Sequence, residues 1–196
     1  MKRVMIVGQP GAGKSYLGRE IGRLTGLPVV HMDMIHWMPG WVERDKTDKL
    51  AMVHEVEISD AWVLEGGLSA SYAHRLHRAD TLIVLDFPLW LRSWRVFART
   101  LRDYGRSRED LPRECPERFS WEFWKWIWDT RHTSRAQNLR LISQAGQVTA
   151  VFHLQNRSDV TTFLKTLDAQ GFSGQEAAHA AFDYRKTRAQ GRRDRL

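Results

Sequence analysis

Cysteine is almost missing from this chain: Cys115 stands alone in 196 residues. That excludes an internal disulfide framework and any zinc cluster built on cysteines. It fits a reducing compartment, so a cytoplasmic location is expected. Long apolar runs are missing too. No stretch approaches the roughly 18 apolar residues of a membrane span. The apolar run in MKRVMIVGQPG is too short for a secretory leader and ends in a glycine loop, so no membrane partner is expected. Acidic residues are in deficit, 23 Asp and Glu against 30 Lys and Arg, which leaves a formal charge of +7. An anionic partner is implied, and composition does not say whether it is a nucleotide, a nucleic acid or a lipid surface. Against these absences, 42% hydrophobic and 27% charged residues exclude wholesale disorder. The length fits one domain with a proper core. Nine tryptophans are an excess.

Short apolar runs alternate with helix-compatible stretches, the signature of an α/β fold. Strands are predicted at Arg3–Val7, Pro28–Asp33, Ala61–Glu65, Thr81–Asp86 and Val148–Leu154. They are continuously apolar, as in a five-stranded parallel sheet with helices on both faces. Helices are predicted at Lys14–Thr25, Thr47–Ser59, Leu89 to about Tyr104, Trp121–Gln144 in one or two pieces, and Asp159–Gln170. Right-handed crossovers make the sheet doubly wound, with ligands at the carboxyl ends of its strands. Met34–Lys46 reads as an irregular connection around Pro39 and Gly40. Gly105–Ser120 is polar, carries Pro112 and Pro116, and reads as a lid. Residues 1–173 are expected to form one domain, followed by a basic tail at 174–196.

Residues 8–15 read GQPGAGKS, the Walker A pattern G-x-x-x-x-G-K-S/T. Backbone N–H groups must curl around a phosphate, and Gly8, Gly11 and Gly13 permit that close, partly left-handed path. Ala12 completes the loop. Lys14 would bring positive charge to the β- and γ-phosphates, and the Ser15 hydroxyl would ligate Mg²⁺. Tyr16 continues the helix whose positive dipole end faces the same point. The motif follows the strand RVMIV and opens the helix KSYLGREIGRL, as an ATP site requires.

Beyond this loop the chain resembles the adenylate-kinase-like P-loop proteins. Within them it resembles the small proteins labelled DNA topology modulation or flagellar-topology related. The likeness covers roughly residues 1–170 and rests on GQPGAGKS, HMDMIHWMPGW, WVLEGG, ADTLIVLDFPLWLRSWRV, CPERF and WEFWKWIW. It implies a nucleoside monophosphate kinase fold, ATP with Mg²⁺, a short acceptor-binding segment and an arginine-bearing lid. Where the group usually places an aspartate before glycine, this chain has Glu65, followed by Gly66 and Gly67. That glutamate could hold a Mg²⁺-bound water or the acceptor.

Arg92, Arg95, Arg99, Arg102 and Arg106 recur at helical spacing and form one face. Trp90, Trp94, Phe97 and Leu101 form a neighbouring stripe, the expected buried face. The arginines are either a ligand-facing ladder, a solvated basic face, or partners of Asp103, Glu109 and Asp110. The resemblance implies that Arg95 stacks on adenine and Arg99 reaches the phosphates, with Arg131 and Arg135 closing on the transferring phosphate. Asp33 is expected at the end of the second strand, where the resemblance implies that it orients the acceptor hydroxyl; the alternative is a turn or helix cap. Trp37 and Trp41 would stack on the acceptor or wall the crevice. Arg75 would bind an acceptor phosphate or carboxylate, or pair locally. His31, Asp33 and His36 are too few for a metal site. Trp121, Trp124, Trp126 and Trp128 are expected to be mostly core.

These readings converge on an ATP-dependent small-molecule phosphotransferase, its acceptor a nucleoside monophosphate or another small hydroxyl or phosphate compound. The chain is expected to act as a monomer or homodimer. The competing reading is a nucleic-acid-associated protein that uses ATP as a switch. The charge and tail favour it slightly, but no nucleic-acid-binding motif is present.

Overall fold

The structure is a computed structural model that describes residues 1–170. The expected basic tail at 174–196 lies outside the described residues. Five strands, β1 (Arg3–Gly8), β2 (Val29–His31), β5 (Trp62–Glu65), β6 (Thr81–Leu85) and β7 (Ala150–Leu154), form one sheet in the order β2-β5-β1-β6-β7. All pairings within it are parallel. Apolar residues on both faces of β1, β5 and β6 require cover on both sides, whereas the edge strand β7 is exposed along most of its length. Met5, Val7, Leu64, Leu82 and Val84 pack beneath α3 (Lys46–Glu57), α4 (Tyr72–Arg78) and α7 (Thr133–Gln144). Val4, Ile6, Val63, Ile83 and Leu85 pack beneath α1 (Lys14–Thr25) and α8 (Arg157–Ala169). Each such aliphatic side chain contributes about 1.5–3 kcal/mol on burial. The doubly wound α/β fold expected from the strand runs is the fold observed.

Helix limits follow their caps. α1 begins behind Gly13 and ends at Gly26, both left-handed, and the Gly26 N–H bonds the Gly22 carbonyl. The Asp45 side chain caps α3, and Asn156 with Asp159 forms a capping box on α8. Residues 121–144 split into α6 (Trp121–Asp129) and α7.

Four expectations need correction. First, β2 stops at His31, and Met32–His36 forms the short helix α2. Burying Met32 and Ile35 on one face in the core outweighs continuing the strand. Asp33 therefore sits on a helix, not at a strand end. Second, Trp37–Met38 (β3) and Val42–Glu43 (β4) pair antiparallel around Pro39 and Gly40, where an irregular connection was expected. Third, α5 (Leu89–Arg102) is turned opposite to expectation. Trp90 is 72% and Trp94 61% exposed, whereas Arg92 is buried. The space beneath α5 offers carbonyls and carboxylates, which guanidinium groups satisfy and indole rings do not. Fourth, Trp121, Trp126 and Trp128 are exposed, and α6 buries only Ile127.

Gly105–Ser120 is not starved of contacts. Leu111 and Cys115 are buried, and isolated bridges join Tyr104 to Glu117 and Ser107 to Pro116. Among the described residues no helix is long and apolar enough to cross a membrane.

Candidate functional site

The crevice lies at the carboxyl ends of β1, β5 and β2. The phosphate loop leaves β1 at Gly8, where a Cβ would meet the Leu85 carbonyl oxygen at 2.8 Å. Gly11 has φ +77°, and a Cβ there would stand 2.3 Å from the Arg92 carbonyl oxygen. α5 thus packs directly on the loop, and only glycine fits between them. Gly13 has φ +96° with open space around its missing Cβ, and no side chain caps the α1 N-terminus. Its first N–H groups are therefore available to an anion. Ala12 is buried, and Tyr16 is exposed. Lys14 Nζ donates to the Gln9 carbonyl at 3.4 Å. Arg92 secures the loop from α5 by donating to the Phe87 carbonyl at 3.0 Å and the Pro10 carbonyl at 3.1 Å.

Across from the loop, Asp33 is an exposed residue among other charged side chains. Desolvation by its neighbours raises its pKa above the ordinary 3.8, and the Glu65 carboxylate raises it further. Lys14 and Arg108 pull the other way, and Asp110 adds to the rise. Four charged groups from three separate segments therefore act on Asp33. Glu65 is buried, with Oε1 2.7 Å from His31 Nδ1. Gly66 has φ +113°, and its missing Cβ makes room for Met32 at the start of α2. Gly67 lies beside the Tyr72 hydroxyl.

Arg75, expected to touch the acceptor, does not reach the crevice surface. It is completely buried, with Nη2 donating to the Gly66 carbonyl at 2.7 Å. Its side chain can act on the acceptor side only through that carbonyl. Trp37 and Trp41 meet edge to face at 5.4 Å. His36 turns to Glu43, at 3.5 Å, away from the His31–Glu65 pair.

The segment Gly105–Ser120 supplies further charged residues to the crevice. The Ser15 side chain lies beside the Asp110 carboxylate and helps lower its pKa, and Arg108 holds that carboxylate at 2.9 Å. The charge of Arg108 and the Ser15 hydroxyl bring the Asp110 pKa below its ordinary value despite burial. Its sequence signal was a charged cluster in a proline-bearing loop, which does not say where the loop folds. Glu117 sits between Arg99 at 3.1 Å and Arg108 at 2.7 Å. The segment is clasped to the hairpin: Trp41 Nε1 donates to the Pro116 carbonyl, and the Gly40 N–H to the Glu114 carbonyl. The Trp41 N–H and Met38 carbonyl both meet Cys115 Sγ at 3.4 Å. The segments HMDMIHWMPGW and CPERF, far apart in sequence, are therefore in contact.

Arg95 lies over the Phe87 ring, 4.6 Å from its centre. Arg131 stacks on Trp128 at 4.0 Å, while its carbonyl accepts from Gln9 beside the phosphate loop. Arg135 makes a two-pronged contact with Asp86, both bonds 2.7 Å, and holds that carboxyl below its ordinary value. In this arrangement Arg135 is tied to the end of β6.

A cytidylate kinase from Pyrobaculum aerophilum is 35% identical over 133 residues, which span 59% of this chain and 67% of that protein. Among solved structures, a shikimate kinase from Bacteroides thetaiotaomicron overlaps with a TM-score of 0.52 at 19% identity, covering 86% of this chain and 97% of its own. That likeness shows the fold alone. No protein-family model matches the chain.

Proposed function

The chain belongs to the P-loop kinases of nucleoside monophosphate kinase type, and on that footing we propose that it transfers a phosphoryl group from ATP to a nucleoside monophosphate. The observation that carries this reading is the meeting of Asp33, Glu65, Lys14 and Arg108 beside the phosphate loop. The cytidylate kinase relative makes cytidine monophosphate the first acceptor to test.

The uncapped α1 N-terminus and the open space at Gly13 fit a phosphate, and the Ser15 hydroxyl beside a carboxylate offers the hard oxygen donors that Mg²⁺ takes. When bound, ATP with Mg²⁺ supplies the phosphoryl group and partial neutralisation of its charge. Lys14 and the loop N–H groups orient the phosphates. Ser15 would hold the metal, with Asp110 or Glu65 as the carboxylate beside it. Asp33, its pKa raised above the ordinary carboxylate value, would orient the acceptor and take any proton its phosphate carries. Arg99, now paired with Glu117, and Arg131, now stacked on Trp128, would stabilise charge on the transferring group, and Arg95 would hold the base. Arg135 reaches that group only by leaving Asp86. Trp37 and Trp41 wall the acceptor side, and Arg75 fixes the Gly66–Gly67 turn beneath it.

A panel of acceptors with labelled ATP tests the proposal. Phosphorylated nucleoside monophosphates are expected, with the activity reduced about a hundredfold or more in Lys14→Ala. Transfer to a non-nucleotide hydroxyl compound alone would overturn the acceptor class. Undiminished transfer by Lys14→Ala would overturn the site.

A further inference from the structure

Where the end of α3 meets α4 stands a second cluster with a different chemistry. His54 and Glu57 are three residues apart on the last turn of α3, so they share a face. His74, on α4, faces them. One ligand atom from each of the three lies within 4.8 Å of the others. Among the described residues no other trio of His, Cys, Asp or Glu meets this condition. His74 Nδ1 is 2.5 Å from Glu57 Oε2, and the two imidazole rings have centres 5.3 Å apart.

The buried carboxylate makes the cluster more than a surface coincidence. Glu57 is almost wholly buried, and its Oε1 has no hydrogen-bond partner. A buried acceptor in that condition destabilises the fold unless something satisfies it. Nearby Arg78 is committed elsewhere, donating to the Glu57 carbonyl at 3.1 Å. The Arg75 guanidinium also feels the Glu57 charge, so it opposes a cation there but shares its influence with Glu65. The two histidines are exposed and can turn.

We propose that His54, Glu57 and His74 bind a transition-metal dication of the Zn²⁺ type, clamping α3 to α4. Two imidazoles and one carboxylate suit such an ion, whereas Mg²⁺ and Ca²⁺ prefer oxygen throughout. Donors about 2.1 Å from a tetrahedral metal lie roughly 3.4 Å apart, within reach of small side-chain rotations from the observed spread. The fourth position is left to water. The clamp would steady α4, where Arg75 directly follows His74 and supports the Gly66 carbonyl. The inference does not depend on the acceptor or on phosphoryl transfer.

Untagged full-length protein titrated with Co²⁺ alone is the test. One Co²⁺ per chain is expected, with the visible absorption of a four- or five-coordinate ion, displaced by Zn²⁺. Zn²⁺ should also raise the unfolding temperature. His54→Gln and His74→Gln, exposed positions at which the fold should survive, should each weaken binding about tenfold or more. Ser15→Ala should leave the Co²⁺ spectrum unchanged, separating this cluster from the phosphate loop. An absence of specific Co²⁺ absorption, or full binding by the folded double histidine variant, overturns the site.

Discussion

A methyl group decides the fate of the phosphate loop. Adding one at Gly11 forces an L side chain into left-handed backbone, about 1–2 kcal/mol, and drives it onto the Arg92 carbonyl oxygen. Backbone cannot yield as a flexible side chain would. Gly11→Ala is therefore expected to destabilise the fold by about 2 kcal/mol or more and to weaken nucleotide binding, read by thermal unfolding and ATP titration. Asp33 carries the opposite trade. Its pKa is raised above 3.8 in the native state, so between the unfolded and folded values the native protein binds more protons. Its contribution to stability is fully present below the unfolded pKa and is lost as pH rises through the folded pKa. Asp33→Asn is expected to be more stable than the parent at pH 7, with the gap closing as pH falls toward 3.8, and to lose most of its transfer activity. In the parent, the acid limb of kcat/KM should lie above the ordinary carboxylate range. Denaturant curves and pH–rate profiles check both signs.

Among the elements, α5 shows how amphipathic spacing specifies two faces without saying which is inside. Arg92→Ala removes two hydrogen bonds to carbonyls, the buried one of Phe87 and the partly buried one of Pro10 on the phosphate loop. Charge-assisted bonds of this kind are worth about 1.5–3 kcal/mol each, so the variant should be clearly destabilised. Trp94→Ala, on the exposed face, should fall within about 0.5 kcal/mol of the parent. Equal losses would contradict the orientation of the helix. The Gly105–Ser120 segment and the β3–β4 hairpin form a second coupled pair. Trp41 has φ +59° and is held there by its bonds to Cys115 and Pro116. Trp41→Ala should release the segment and speed tryptic cleavage at Arg106 and Arg113, both exposed, while Arg108 stays protected by its carboxylate partners. If ATP with Mg²⁺ slows that cleavage, the segment acts as a lid; protection by a nucleic acid instead would favour the switch reading.

For the whole molecule, the excess of seven positive charges acts at long range and carries no information about sequence. Association with a DNA probe is expected at low salt, without sequence preference, and should disappear near about 0.15 M salt. Transfer activity should persist there, since its contacts are short and enclosed. Filter binding and activity measured across one salt series separate the two. Retention of tight DNA binding at physiological salt would argue for a nucleic-acid partner.

What the sequence alone determined was local or periodic. The parallel sheet followed from apolar strand runs with no polar face, and the phosphate loop from glycines whose spacing sets the backbone path. α1 was legible to the residue because glycine marks both ends. Tertiary structure alone decided matters of partnership. It placed Asp33 on a helix, because burying Met32 and Ile35 outweighed the strand. It turned Arg92 and Arg99 of α5 inward, because the neighbouring surface offers carbonyls and carboxylates. It left most tryptophans of α6 outside and drew Asp110 onto Ser15. It also joined His54 and Glu57 to His74, which no spacing connects. Backbone preference and periodicity are written along the chain, but the environment that a side chain enters is built from segments distant in sequence.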